Sequence, residues 1–268
     1  MADVWARVAE LDEATQQSLA GVLETRGADA QQRAMRAVFL ADIPFPPRAQ
    51  VLEVGCGTGV LTRLLAQQEG VASVVGTDLA PSLIVHAREA ATGISNVSFR
   101  VADARELPFE DESFDAVVMD SVLVHVPGPE RAVAEALRVL RPMGVLAAFE
   151  GDYATTTVAL GDHDPLQRCV DTMMANSVTD RWLVRRLAAM LRDQGFAIES
   201  FRSHGFVDVG ADGYMTTVID RGVALMLAAD EIGEALATAL RGEARRRATA
   251  GSFFGHIAYA SLIARKPE

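Results

Sequence analysis

The sequence predicts an α/β fold built on a parallel sheet, and three observations carry that expectation. Strand and helix patterns alternate from Gln50 to Phe149, a glycine loop (Gly55-Cys56-Gly57-Thr58-Gly59) directly follows the first strand, and an acid, Asp78, closes the second apolar run. Repeated strand–helix–strand crossovers return the chain to the same end of the sheet, which makes the strands parallel. Glycine at the first turn lets the backbone bend sharply and approach a ligand without Cβ contact, and the ends of parallel strands open into a ligand crevice. The chain has 268 residues, 50% of them hydrophobic, enough for a sizeable core in one folding unit and too apolar for a disordered class.

Each element follows from its pattern. Residues 3–26 and 29–41 carry helical spacing of apolar positions and stop before Ile43-Pro44-Phe45-Pro46-Pro47, which breaks any helix. The first strand runs from Gln50 to Val54. Helices begin near Gly59, Pro81 and Pro129, the prolines suiting a first helical turn whose N–H groups have no helical partner. Trp182–Asp193 is a further amphipathic helix closed by Gly195, and Phe196–Phe201 the next strand. Residues 216–248 are mainly helical and interrupt the return to the last apolar strand, Phe253–Ala264. The expected organisation is a helical cap over 1–47, an α/β core over 48–207 with an insertion near 151–180, a predominantly helical substrate cap over 208–250, and a final core strand and tail over 251–268. A helical insertion beside the strand ends predicts a lid.

The loop separates two kinds of nucleoside ligand. A dinucleotide fingerprint reads G-x-G-x-x-G and sets a pyrophosphate on the next helix N-terminus. Here the spacing is G-x-G-x-G and Glu53 precedes it, an acid that would repel phosphate and suits a cationic ligand. Asp78, roughly 20 residues beyond the loop, is placed to accept both hydroxyls of a ribose. With these residues the sequence resembles the class I S-adenosylmethionine-dependent methyltransferases, whose first motif matches Glu53 to Gly59 and whose ribose-binding acid matches Asp78. Asn96–Ala104 resembles the family's third strand and adenine-contacting turn, Phe109–Val118 its fourth strand, and Leu137–Leu146 the helix end and start of the fifth strand. There the family more usually has two glycines after the proline, where this chain has Met143-Gly144. The resemblance implies a Rossmann-like methyltransferase sheet with N-terminal helices and a helical lid insertion, and S-adenosylmethionine as cofactor.

It also implies roles. Gly55, Gly57 and Gly59 support close approach of the methionine portion, Glu53 orients a loop amide or the substrate amine, and Cys56 is a small side chain that fits the loop by packing. Asp78 accepts the ribose hydroxyls and Leu79 covers an adenine face. Asp103 accepts from the adenine amino group, with a turn cap as its alternative role, and the Ala104 amide donates to the ring. Asp120 and Ser121 end the fourth strand on the side of the methylsulfonium. An activated methyl needs an aligned nucleophile and exclusion of water, with no metal, and a base only where the acceptor is acidic. His125, among Val122, Leu123, Val124 and Val126, is the best local base candidate, with a packed or orienting histidine as its alternative role; Tyr153 and His163 lie in a polar segment leaving the fifth strand and are expected to orient substrate, His163 being a second base candidate. His204 is a weaker candidate, and Asp162, His163 and Asp164 are poorly spaced for a metal.

Composition narrows the partners. The formal charge of −11 offers no basic field for nucleic acid, and Arg245-Arg246-Arg247 beside Glu243 reads as a solvated helix face. Apolar stretches fall short of a membrane span and Met1-Ala2-Asp3 begins no basic leader, so a soluble, cytoplasmic protein without membrane partners is expected. Cys56 and Cys169 form neither a disulfide framework nor a metal spacing. Trp5, Phe39, Met173, Met174, Trp182, Tyr214, Met215 and Met226 supply apolar surface for enclosing an acceptor, or for the core. The expected partner is a small organic acceptor, of natural-product or quinone-like kind, with oxygen, nitrogen and carbon attack left open, as is the oligomeric state. Two alternatives stand beside methyl transfer: a cyclase or isomerase that keeps the cofactor as a structural element, and a non-catalytic S-adenosylmethionine-binding protein.

Overall fold

The computed structural model describes residues 3–210 and 213–268. A seven-stranded sheet runs β3-β2-β1-β4-β5-β7-β6, with β1 Ala49–Val54, β2 Val71–Asp78, β3 Val97–Val101, β4 Phe114–Asp120, β5 Leu140–Thr157, β6 Ala197–Asp208 and β7 Gly255–Arg265. The first five pair in parallel, while β7 is antiparallel to both β5 and β6. The central strands β1 and β4 are apolar and almost wholly buried, as strands covered on both faces must be. Helices α3 Val60–Leu65, α4 Pro81–Ala90 and α5 Pro129–Val139 are the crossovers, and Pro81 and Pro129 both stand at a helix start.

The N-terminal cap departs from the expected single helix over 3–26. Asp12 ends the preceding turn and caps α1 (Glu13–Ala28), its side chain accepting from Thr15 N at 2.9 Å, so residues before it cannot continue the helix. They form instead a short 3-10 turn, Val8–Glu10, with Val8 packed against Leu19, Ala20, Ala80 and Leu83. Asp29 caps α2 (Ala30–Ala41) in the same way through Gln32 N.

Two strands outrun the sequence expectation. β5 continues through residues 151–157, which the sequence places in an insertion, and stays paired with β7 as far as Thr157 and His256. β6 runs to Asp208 rather than 201. The inserted helices are α6 Pro165–Ser177 after β5, then α7 Val184–Asp193, and α8 Tyr214–Ala228 with α9 Glu234–Thr249 between β6 and β7. α6 and α8 cross closely at Gly222, where a Cβ would fall 1.9 Å from the Cys169 carbonyl oxygen. The core continues from the sheet into this layer: the Phe149 and Tyr259 rings stack with centroids 5.3 Å apart, and Met215, Val218 and Ile219 of α8 are buried against it.

Candidate functional site

The ends of β1, β2 and β4 meet the N-terminal segment, α1, α6 and α8 around a cavity of about 680 Å³. Its floor is the glycine loop. Gly55 and Gly57 have φ of 71° and 53°, and Cβ atoms there would lie 2.4 Å from Val122 Cγ2 and 2.6 Å from Leu23 Cδ1. Glycine is therefore required twice over, by backbone conformation and by the side chains that close on the loop from both sides. Gly59 caps α3 and does not line the cavity.

Asp78, at the end of β2, accepts from Gly57 N and Ala80 N, each at 2.9 Å, and so ties the loop to the second strand. Burial pushes its carboxyl above the usual range, against those two amides. Leu79 is exposed beside it at the rim. Asp103 and Ala104 line the same end. The Asp103 carboxylate is held by Arg105 through Nε at 3.0 Å and Nη2 at 2.7 Å and caps its own turn through Arg105 N, which together hold its pKa down. Its turn-capping role is thus present in the structure.

Glu53 lies under the loop, 2% exposed, and accepts from Thr62 Oγ1; it meets no loop amide, because Thr62 on the first turns of α3 reaches it first. Burial pushes its pKa up to about 8. Burial therefore disfavours the charge expected to repel phosphate. Cys56 is buried against Ile84, Ala87 and Phe99, and burial likewise raises its thiol.

At the end of β4 the Asp120 carboxylate is gripped by two guanidiniums from the N-terminal helices, Arg36 Nε at 2.6 Å and Arg26 Nη2 at 3.3 Å. Arg26 Nη2 also donates to Ser121 Oγ at 2.5 Å. These cations hold Asp120 ionised although it is deeply buried. Two guanidiniums share one carboxylate, and the Arg26 Nε is buried with no hydrogen-bond partner among the described residues. The next turn is fastened from β5: Glu150 Oε1 accepts from Val122 N at 3.0 Å and Leu123 N at 2.9 Å, while burial raises its pKa to about 8.

His125 follows that turn and lines the cavity. Its Nδ1 lies 2.8 Å from Asp3 Oδ2, and the Trp5 and Tyr153 rings each have their centroid 6.2 Å from its own. Tyr153 is buried at the cavity wall, where desolvation raises its hydroxyl pKa well above normal. His163 is not brought here. It stands exposed with φ 61° in the turn before α6, because β5 carries the chain past the cavity before it turns, and the neighbouring Asp164 caps α6 and pairs with Arg247. His204 lies on β6 with Nε2 2.8 Å from Ser261 Oγ, away from the cavity. Among the described residues no group of three His, Cys, Asp or Glu side chains is placed to hold a metal ion, and no helix is long and apolar enough to cross a membrane.

Of the apolar residues expected to enclose an acceptor, Trp5, Met173, Met174 and Tyr214 line the cavity. Phe39, Met215 and Met226 are core, and Trp182 is exposed under the guanidiniums of Arg181 and Arg185. α8 supplies lining residues through Tyr214, Arg221 and Leu225, whereas α9 supplies none and packs behind it. The sequence reading missed Asp3, Arg26, Arg36 and Glu150. Each meets the site across a long chain separation, 84 and 94 residues for Arg36 and Arg26 to Asp120, and no local pattern announces such a pairing.

Comparison with known proteins agrees with this geometry. A family model described as a methyltransferase domain matches residues 52–148. The demethylmenaquinone methyltransferase of Tropheryma whipplei (strain Twist) is 31% identical over 173 residues, 59% of this chain and 70% of that protein. An uncharacterized 37.1 kDa protein of a Streptomyces fradiae transposon is 32% identical over 167 residues, 62% of this chain and 48% of that protein, so the chain spans about half the length of that relative. The crystal structure of the [4+2]-cyclase SpnF shares the fold with a TM-score of 0.56 at 24% identity, over 90% of this chain and 85% of its own. Fold and site together define a class I, Rossmann-like methyltransferase architecture. The chain belongs to the class I S-adenosylmethionine-dependent methyltransferase family.

Proposed function

We propose that this protein transfers the methyl group of S-adenosylmethionine to a small organic acceptor. One observation carries the reading: a single cavity joins the glycine loop and Asp78 to His125 and Tyr153. The residues present fit the cofactor. The loop is a cradle that a Cβ at Gly55 or Gly57 would fill, Asp78 keeps acceptor capacity for ribose hydroxyls beyond its two amide bonds, and Arg26 offers an incompletely paired guanidinium to a carboxylate. Leu79, Asp103 and Ala104 would border the adenine, with Asp103 shared with Arg105. Glu53, Cys56, Asp120 and Ser121 also line the cavity and would border the methionine portion, while Gly59 caps α3 behind the loop. When bound, S-adenosylmethionine supplies a methyl carbon made electrophilic by its sulfonium.

The chain's own residues do the rest. Val4, Trp5, Met173 and Met174 keep water from the acceptor end and favour an apolar molecule. His125, with Nδ1 facing a carboxylate, has Nε2 available to take a proton from an acidic acceptor group, and Tyr153 orients that group. A quinone-like or natural-product acceptor suits the cavity, and the name of the Tropheryma relative supports the quinone-like reading. α8 is the substrate-facing part of the cap.

The test is calorimetric titration of the cofactor-free protein with S-adenosylmethionine and S-adenosylhomocysteine, followed by mass analysis of reactions with candidate extracts. Binding of both and a product heavier by about 14 Da supports the reading. A substrate that changes while the cofactor methyl stays intact points instead to a cyclase or isomerase, a chemistry this fold also carries in SpnF. Binding with no turnover of any extract would favour a non-catalytic role.

A further inference from the structure

Asp3 is a buried carboxylate next to Val4 and Trp5, which line the cavity. Its side chain is 4% exposed. Oδ2 receives Thr179 N at 2.8 Å and Thr179 Oγ1 at 2.9 Å and lies 2.8 Å from His125 Nδ1, while Oδ1 receives Trp5 N at 2.9 Å. These contacts join three separate stretches of chain. Asp3 opens the N-terminal segment whose Val4, Trp5 and Val8 wall the cavity; His125 belongs to the turn after β4; Thr179 lies between α6 and α7. Two of these stretches touch again where Asp180 N donates to the Val124 carbonyl at 3.0 Å.

We infer that Asp3 is a positioning residue: it fixes the His125 tautomer, and it makes that imidazole a competent base only while the N-terminal segment is closed over the cavity. The inference rests on the methyl-transfer reading for the use of the base, not for its geometry. An ionised carboxylate has no proton to give, so the ring nitrogen facing it must carry the hydrogen. That places N–H on Nδ1 and leaves the lone pair on Nε2, the nitrogen free to accept from an acceptor molecule. Hydrogen bonds from His125 and Thr179 hold the Asp3 carboxyl below the usual carboxylate range in spite of burial, which keeps it ionised near neutrality. Withdrawal of the segment would remove the orienting carboxylate and the Trp5 side of the ring's wall together. Acceptor entry past this segment would thus leave the base unset, and closure would set it. The other titratable groups around the ring are Tyr153 on β5, Glu150 beneath the Val122–Leu123 turn, and Asp180, which pairs with Arg186.

Nitrogen-15 NMR of the imidazoles in the full chain tests this without an acceptor. In the wild type the neutral His125 should show a protonated Nδ1 and an unprotonated Nε2. In Asp3→Ala the accepting carboxylate is gone, so the neutral ring should no longer be held in the Nδ1–H form and should move toward the Nε2–H form. Amide protection of residues 4–8 should drop by roughly tenfold in the same variant. Asp3→Glu, which keeps the charge, should retain the wild-type tautomer in part, and unchanged His86 and His204 resonances would show that the fold survives. An Nε2–H tautomer in the wild type, or an unchanged Nδ1–H tautomer in Asp3→Ala, would overturn the inference. Failure of the wild type to bind S-adenosylhomocysteine would count against the methyl-transfer reading alone, since the imidazole result does not depend on it.

Discussion

Asp78 illustrates why the glycine-loop end of the cavity was legible in sequence. The glycines, Glu53 and Asp78 lie within one strand–helix–strand unit, so chain connectivity places them together before any tertiary contact forms. The structure adds that Asp78 also braces the loop through Gly57 N. Asp78→Ala would confound loss of ribose contacts with a loosened loop, so Asp78→Asn is the better probe. It should weaken S-adenosylmethionine binding by about 1.5–3 kcal/mol, a tenfold or greater rise in Kd by calorimetry, and lower the thermal transition less than Asp78→Ala does, because one of the two amides keeps its accepting oxygen. An unaltered Kd would remove Asp78 from the site. His125 was legible for a weaker reason, as a lone imidazole just past a strand end, and its partner Asp3 was not legible at all because 122 residues separate them. His125→Ala should lower turnover of a weakly acidic acceptor by 10²-fold or so and remove a limb of the pH–rate profile, leaving cofactor affinity near wild type. Turnover and pH dependence that do not move would make His125 a wall residue.

Among the elements, those with strong periodicity or proline starts were read correctly, and those held by pairing were not. β5 and β6 extend past their apolar stretches because antiparallel pairing with β7 satisfies the backbone there, and polar residues such as Thr155 then serve the sheet, its hydroxyl accepting from Ala258 N at 2.9 Å. Residues 216–248 were legible as mainly helical, but which half faces the cavity depends on how α8 crosses α6 at Gly222. Met143, between α5 and the paired part of β5, shows a departure from family pattern with a structural cost. It adopts φ 63°, a left-handed conformation, and is 48% exposed. The steric cost of that conformation for a residue with a Cβ is roughly 1–2 kcal/mol, partly offset by the greater unfolded-state freedom of glycine. Met143→Gly should therefore raise stability by up to about 1 kcal/mol in urea unfolding with no effect on cofactor binding. A destabilised variant would mean that the Met143 side chain contributes packing that outweighs the strain.

For the molecule as a whole, the carboxyls buried beneath the cavity link stability to pH. Glu53 and Glu150 both titrate at about 8 in the folded chain, against an ordinary value of 4.5, and in each case burial is the main cause. Between those values the folded state holds a proton that the unfolded state has released, so stability falls as pH rises from about 4.5 to 8 and levels off above. The protonated form therefore stabilises most at low pH, opposite in sign to Asp120, whose lowered pKa favours the fold above the normal carboxylate range. Glu150 isolates the effect, because one oxygen holds the Val122 and Leu123 amides and the other has no partner among the described residues. Gln at this position keeps the accepting oxygen and cannot ionise. Glu150→Gln should match the wild type near pH 5 and exceed it by up to a few kcal/mol near pH 8, flattening the slope of unfolding free energy against pH. Parallel curves for the two proteins across pH 5–8 would show that Glu150 ionises normally and that the turn tolerates its charge. A cation bound over the loop should act on Glu53 in the other direction, drawing its pKa down and releasing a proton. Calorimetric titration with S-adenosylmethionine at pH 7 in buffers of different ionisation enthalpy should then show net proton release in the wild type and about none in Glu53→Gln, whereas equal heats in all buffers would place the cofactor's positive charge out of reach of Glu53.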